Sequence, residues 1–431
     1  MLHTNLSLNH RGHLVFAGAD TVDLAAQYGT PLYVLDQDRI LHNCRQYAQA
    51  MAEHFPAGSR ALYAGKALCF KGIYSLIDRA GLDADVVSCG EIYTALAGGF
   101  PAERMYFHGN NKTAADIEYA LERAVGCFIV DNPQELDLIH SCAARRGLRP
   151  RVLLRLTPGI DPHTFEAVNT GRIDCQFGVA IATGQAQAFV RQALGLDQLD
   201  LLGFHCHLGS QIFQPQPFLD GVDIMTGFME QMRREHGFIT RVLNLGGGFG
   251  VRYVESDPQA DIPGSIARIA ARLRENCSAL GLALPVVLME PGRSIVAEAG
   301  LTLYTVGGVK TINGYKSYVS VDGGMSDDPR YALYKCGYTV LLANKAGQEA
   351  TGRYTVAGRC CESGDLLQEN VALPSPQAGD LAAVLTTGAY NYSMAMNYNR
   401  LPKPPIVMIA EGKASLVVRR QSFADIMSCE L

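Results

Sequence analysis

Between residues 60 and 291 short apolar runs alternate with amphipathic stretches eight times over, and this repeat constrains the fold more than any other feature of the 431-residue sequence. The runs are ALYAGK (61–66), ADVVS (84–88), MYFHG (105–109), CFIVD (127–131), RVLLRL (151–156), LLGFHCH (201–207), VLNLGGG (242–248) and VVLMEPG (286–292). Segments such as KTAADIEYALERA and PQELDLIHSCAARRG lie between them, with apolar residues at three- and four-residue steps that read as helix. Thr113 fits an N-cap and Pro133 a first helical position. Eight apolar strands with crossover helices over about 230 residues point to a (β/α)8 barrel. A doubly wound sheet is the alternative, disfavoured by the number of repeats and by the lack of GxGxxG after the first strand.

After residue 298 the texture changes. TLYTVGGVK, SYVSVDGG, YTVAGR and LAAVLTTG alternate apolar and polar residues, and IVMIAEGKASLVVRR reads as two strands about a Glu-Gly-Lys turn. The first 30 residues, with LVFAG and a Gly-Thr-Pro break at 29–31, do not fit the barrel and contribute a further strand. The expected architecture is therefore α/β plus all-β. A barrel over 32–297 carries the chemistry, and a β-sandwich or β-barrel domain forms from 1–31 and 298–431.

Charge and cysteine usage narrow the class of function. Lys plus Arg number 37 against 42 Asp plus Glu, a net charge of -5, which lacks the basic footprint of a nucleic-acid or anionic-membrane partner. No apolar run reaches the length that spans a bilayer, and the N-terminus shows no secretory pattern. The 12 cysteines are scattered without a CxxC pair or zinc-ligand spacing, which reads as reduced thiols in a cytoplasmic protein with no bound metal.

In such barrels the chemistry sits at the C-terminal ends of the strands. Those ends carry Lys66, Ser88, His108, Asp131, Arg155, His207, Gly247 with Gly248, and Glu290. Lys66 is either a solvated strand-end lysine or a desolvated amine of the kind that forms a Schiff base. The triplet Gly246-Gly247-Gly248 either makes a plain turn or lets backbone N–H groups close on a phosphate. His205 and His207 share a strand face, which suits two metal ligands or one imidazole lying flat on a planar cofactor with Ser210 at its phosphate. Glu290-Pro-Gly-Arg293 is a strand-end ion pair or a carboxylate for a ring nitrogen beside an anion-binding turn.

Taken together, YAGKA, DVVSCGE, HGNNK, HCHLGSQ, LNLGGGFG, EPGRS, PRYALY, GRCCESGD and GAYNYSMAMNYN resemble the diaminopimelate decarboxylases, a family of fold-III pyridoxal-phosphate enzymes. The resemblance runs from about residue 20 to the C-terminus. It implies pyridoxal 5'-phosphate attached at Lys66, with His207 against the pyridine ring and Glu290 at its nitrogen. Ser210, Gly247, Gly248, Pro291, Gly292, Arg293 and Tyr390 would hold the phosphate end. Arg293, Arg330, Tyr334, Glu362 and Tyr390 match the family's substrate set. Cys361, beside Glu362, matches its proton donor, although Cys360 is adjacent. The family's working unit is a homodimer in which this Cys-Glu pair reaches the partner's site. Cys175-Gln176, in the segment 170–178 expected over the site, stands where relatives commonly show Ser-Lys.

The implied reaction is decarboxylation of meso-2,6-diaminopimelate to L-lysine and carbon dioxide. The alternatives are a sister decarboxylase of another basic amino acid, a cofactor-free binding protein, and a metal-dependent barrel hydrolase using His108, His205 and His207.

Overall fold

The computed structural model describes residues 2–160 and 173–431. It divides into two compact units, one of residues 44–250 with 259–292 and one of residues 1–43 with 251–258 and 293–431. The boundaries thus fall at 43/44 and 292/293 instead of 31/32 and 297/298, and 251–258 goes with the second unit. The reason at the first boundary is pairing. Leu32–Asp36 lies between Gly300–Ile312 and Ile406–Ala410 in the second unit's sheet, so the segment expected to open the barrel is a central strand elsewhere.

All eight expected barrel strands form. They are Arg60–Ala64, Asp83–Val86, Met105–Phe107, Cys127–Val130, Arg151–Thr157, Asp200–His205, Val242–Asn244 and Val286–Met289. Each pairs in parallel with the next, and Leu288↔Arg60 with Met289↔Ala61 closes the ring. A two-residue strand, Val179–Ala180, adds to the edge of the fifth. Leu62, Cys127, Ile129, Leu153 and Leu288 pack together as a filled core. As in other parallel (β/α)8 barrels, side chains fill the interior and the reactive residues are left to the strand ends.

Local signals act where the sequence places them. Thr113 and Asp116 form a reciprocal capping box ahead of the helix Ala114–Glu122. Asn132 caps the helix Pro133–Arg146, with Pro133 in its first turn and Gly147 closing it at φ 62°. Ser88, one of the strand-end residues, caps Cys89–Ala97 by accepting the Glu91 N–H, a structural duty.

The second unit holds a nine-stranded mixed sheet and a three-stranded sheet formed by Leu6–Leu8, Leu14–Phe16 and Ala19–Asp20. Gly300–Ile312 is its hub, pairing antiparallel with Lys316–Val321, Leu381–Leu385 and Leu32–Asp36. Leu14 and Phe16 share one buried core with Leu32, Val34, Leu301, Leu303, Val407 and Ile409, which joins the two sheets. The Glu-Gly-Lys turn appears as expected: Glu411 and Gly412 have φ of 49° and 73° and connect Ile406–Ala410 to Lys413–Val418. No helix among the described residues is long and apolar enough to cross a membrane.

The HGNNK motif has a structural explanation. Lys112 Nζ donates at 2.8 Å to the Gly109 and Ile129 carbonyls and to Glu135 Oε1, filling all three donor positions. Both side chains are buried, at 2% and 3% exposure. Lys112→Met leaves the Glu135 charge uncompensated and is expected to destabilise by about 3–5 kcal/mol, whereas Lys112→Met with Glu135→Leu recovers most of the loss. Denaturant unfolding of the two variants checks this.

Candidate active site

At the C-terminal ends of the barrel strands, the first turn places Lys66. Gly65–Ala67 is a 3-10 turn directly after the first strand, and Lys66 is exposed. The turn is drawn to the last strand because the Ala64 N–H donates to the Pro291 carbonyl at 3.0 Å. Gly292 closes the approach, since a Cβ there would meet the Ala64 and Ala67 methyls at 2.9 and 3.0 Å. The YAGKA and EPG motifs are thus one packed unit.

Glu290 directly follows the last strand, buried at 7% exposure. His108 Nε2 stands 2.8 Å from its Oε1, Asn244 Nδ2 donates to the same oxygen at 2.7 Å, and His205 Nε2 stands 3.1 Å from Oε2. Burial alone would raise this carboxyl, but the contacts from His108 and His205 hold it well below the usual range. Asp85 Oδ1 lies 3.9 Å from His108 Nε2, and burial raises the Asp85 carboxyl. Arg155 and Asp131 pair at 3.7 Å, with Asp131 also accepting the Gly178 N–H.

His207 takes a different part from His205. Its Nδ1 accepts the Gly247 N–H at 3.2 Å, so its proton sits on Nε2. Burial and the Lys66 charge hold the imidazole well below its usual range and hence neutral. The Gly247 N–H is therefore engaged by an imidazole, and Gly247 serves the cradle by its lack of side chain. A Cβ there would meet the Glu290 carbonyl at 2.1 Å. At Gly248, with φ 121°, a Cβ would meet the Gly209 carbonyl at 2.4 Å. Ile212 N–H to Gly248 O, at 2.9 Å, and Gly250 N–H to Ile212 O, at 3.0 Å, bind the Gly209-Ser210 loop to the glycine run.

These residues fit pyridoxal phosphate. An amine, a neutral imidazole, a buried ionised carboxylate and a backbone cradle that any Cβ would fill match its aldehyde, ring face, ring nitrogen and phosphate in turn. The hydrolase alternative fares worse. Ligand atoms of His108, His205 and Glu290 lie within 4.8 Å of one another, but His207 is not among them, and both imidazoles already face the carboxylate.

The second unit gathers a cationic cluster. Arg293 is buried at 7% exposure, its guanidinium 4.7 Å from the Tyr390 ring centre and its Nη1 donating to Tyr253 Oη at 2.7 Å. Arg330, at 3% exposure, lies 4.9 Å from the Tyr253 ring centre and donates to Tyr338 Oη at 3.1 Å. Arginine is well suited to such burial because its planar, weakly hydrated cation stacks on aromatic faces. Tyr390 sits at φ 61°, a conformation uncommon for a residue with a side chain. Tyr334 ends the helix Arg330–Tyr334 and is half-buried.

Cys360 and Cys361 are told apart by environment. Cys360 is buried, and burial together with Asp365 pushes its thiol up to about 11. Cys361 and Glu362 are exposed, with the Cys361 N–H donating to Asn399 Oδ1 at 2.7 Å. Asp365 staples this loop, accepting the Met325 N–H at 2.6 Å and the Cys360 N–H at 2.7 Å. Gly324 and Gly358 give it room, since Cβ atoms there would meet its carboxylate at 2.5 and 2.3 Å. Of the expected cover segment 170–178, residues 170–172 lie outside the described residues, while Cys175 is half-buried.

His108 and His205, read from the sequence as strand-end groups and possible metal ligands, instead face the Glu290 carboxylate, and Asn244, Tyr253, Tyr338 and Asp365 join the site without a role expected for them. The motifs HGNNK, HCHLGSQ, LNLGGGFG and GRCCESGD contain His108, His205, Asn244 and Asp365, whereas Tyr253 and Tyr338 lie in none of the quoted motifs.

Asp328, beside the Arg330 cluster, is fully buried, and burial pushes its carboxyl up to about 8. A raised carboxyl favours the folded state at low pH, and that contribution is lost as pH climbs from its unfolded value near 3.8 to about 8. Asp328→Asn removes the titration. Its stability relative to the unsubstituted chain should therefore rise across that window and level off above it, as measured by urea unfolding at a series of pH values.

A family model for the pyridoxal-dependent decarboxylase, pyridoxal binding domain, matches residues 37–297. Over 432 residues the chain is 43% identical to the diaminopimelate decarboxylase of Bacillus subtilis, covering all of this chain and 98% of that one. It is 42% identical over 429 residues to the diaminopimelate decarboxylase of Halalkalibacterium halodurans, with the same coverage. The crystal structure of diaminopimelate decarboxylase from M. jannaschii in complex with L-lysine superposes with a TM-score of 0.92 at 30% identity, covering 100% of this chain and 99% of that one. With the barrel-end chemistry described above, these likenesses make the chain a member of the diaminopimelate decarboxylase family of pyridoxal-dependent decarboxylases.

Proposed function

We propose that the chain decarboxylates meso-2,6-diaminopimelate at its D centre, giving L-lysine and carbon dioxide, with pyridoxal phosphate as cofactor. The observation that carries the reaction type is Glu290, a buried carboxylate held ionised by three hydrogen-bonding side chains. Bound at this barrel end, pyridoxal phosphate supplies an electron sink for the pair left at Cα when the carboxylate departs. The protein's own groups do the rest. Lys66 offers the amine to which the cofactor attaches, Glu290 holds a proton at the ring nitrogen, and neutral His207 offers its ring face. Ser210, Gly247, Gly248, Pro291, Gly292, Arg293 and Tyr390 serve the phosphate end. Cys361 returns a proton to Cα as general acid. Its exposure, set against the buried Cys360, supports choosing it over its neighbour.

The substrate reading rests on charge. Diaminopimelate carries a distal carboxylate and a distal ammonium. Arg293 and Arg330, buried against tyrosine faces with Tyr334 and Tyr390, suit the first, and Glu362 suits the second. Ornithine and arginine carry no second carboxylate, so a buried arginine pair favours the dicarboxylic substrate over the sister activity. Turnover of meso-diaminopimelate should exceed that of D-lysine, ornithine and arginine, and Glu290→Gln should lower kcat by roughly 10²–10³-fold. Failure to form lysine from diaminopimelate would refute the assignment.

We further place Cys361 and Glu362 at the site of a partner subunit in a homodimer. Both are exposed, on a loop whose backbone is fixed by Asp365 and Asn399. Mixing Lys66→Ala with Cys361→Ala protein should restore part of the activity, because one of the mixed sites then has both residues intact. A mixture no more active than either variant would place the site within one chain. A free catalytic thiol among 12 free cysteines suits a reducing, cytoplasmic setting.

A further inference from the structure

Side chains from three other strand ends converge on the Glu290 carboxylate, and two of them are histidines whose rings meet edge to face, with centroids 5.0 Å apart and planes at 76°. His108 comes from the third strand end, His205 from the sixth and Asn244 from the seventh. A carboxylate only accepts hydrogen bonds, so each imidazole must turn a protonated Nε2 toward it. His205 Nδ1 is buried without a hydrogen-bond partner, and protonating it would strand an N–H in the barrel. His205 is therefore a donor without a charge, its imidazole lowered by burial to about 4. This distinction matters. A cationic partner would lower the Glu290 carboxyl but also cancel its negative charge. A neutral donor lowers it and leaves the charge for the ring nitrogen.

We propose that His108 and His205 are positioning residues that hold Glu290 ionised and correctly aimed, so that it can act as the ring-nitrogen carboxylate. The proposal rests on the function assigned above. The other titratable groups around Glu290 are Asp85, Lys66, Arg155, His207 and the thiols of Cys127 and Cys206. Asp85 opposes the ionised form, and Lys66 and Arg155 favour it. Without the two imidazoles, burial and Asp85 act on a carboxylate left with one hydrogen bond from Asn244. Glu290 would then take up a proton more readily and lose the charge on which the reaction depends.

His→Leu and His→Gln at 108 and 205 separate donation from packing, because glutamine keeps an N–H and leucine does not. The first readout uses the apoprotein and needs no cofactor. Infrared difference titration, with Glu290→Gln as the blank, reports the protonated carboxyl directly. No Glu290 carboxylic-acid band is expected above pH 4.5 in the unsubstituted chain or the glutamine variants, whereas the leucine variants should show one above that pH. In the holoenzyme the leucine variants should lose roughly 10²-fold in kcat with KM little changed, and regain activity as pH rises. The glutamine variants should recover most of it. Should a leucine variant not fold, Ala at the same position gives the same comparison. An unchanged Glu290 band in the folded leucine or alanine variants, or a pH profile that does not move, would overturn the proposal. Failure of the functional assignment would look different: an unsubstituted holoenzyme inactive on diaminopimelate, with the apoprotein titration unaffected.

Discussion

A charged carboxylate inside a closed barrel costs several kcal/mol in lost hydration, and the barrel end is arranged around offsetting that loss at Glu290. The donors cannot come from one segment of chain. His205 and Asn244 end the sixth and seventh strands, and His108 and Glu290 directly follow the third and eighth. Their meeting depends on the ring being shut, which the pairing of Leu288 with Arg60 and of Met289 with Ala61 accomplishes. The same closure brings the Lys66 turn against Pro291 and Gly292, so the nucleophilic amine and the carboxylate are fixed by one set of backbone contacts. Fold and chemistry are joined at that seam.

The second unit solves the opposite electrostatic problem. Arg293 and Arg330 are cations largely out of water, packed against tyrosines. Tyrosine faces and hydroxyls lie against both guanidinium groups. An anion arriving at such a cluster meets cations that have already lost much of their hydration, so it gains more than it would at a solvated surface. The same unit carries backbone strain: Thr386, Tyr390, Asn399 and Arg400 all adopt positive φ without being glycine. The strain lies in and near the GAYNYSMAMNYN motif, and surrounding hydrogen bonds hold it, such as Asn391 Nδ2 to the Thr387 carbonyl at 3.2 Å.

Most of the fold was legible because it rests on periodicity. Each barrel strand announced itself as an apolar run, and Thr113, Pro133 and Gly412 stand where local chemistry requires them. Leu32–Asp36 was misplaced for a physical reason. It is a buried apolar strand, LYVLD, followed by a helix, and that pattern is the same whether its neighbours are parallel barrel strands or the long hub strand 270 residues away. Local pattern encodes that a strand is buried on both faces and is silent about which sheet buries it.

The site was legible by residue type and much less by role. Glu290 stands out because a glutamate buried at a strand end is expensive to keep there without a use, while the exposed Lys66 and the half-buried His207 stand out by the motifs around them. His205 shows where this reasoning stops. Two histidines at i and i+2 on a strand suggest a shared ligand, yet the strand ends at His205 and their duties part there: His207, beyond it, accepts from a backbone N–H, and His205 faces a carboxylate contributed 85 residues later. What decides between metal ligand, ring support and carboxylate donor is the group opposite, and that group comes from another strand. The same holds for Cys360 and Cys361, identical in the sequence and separated in the fold by whether Asp365 or solvent lies beside the sulfur. Residue type sets what a group is able to do, and the partner that closure brings to it sets which of those things it does.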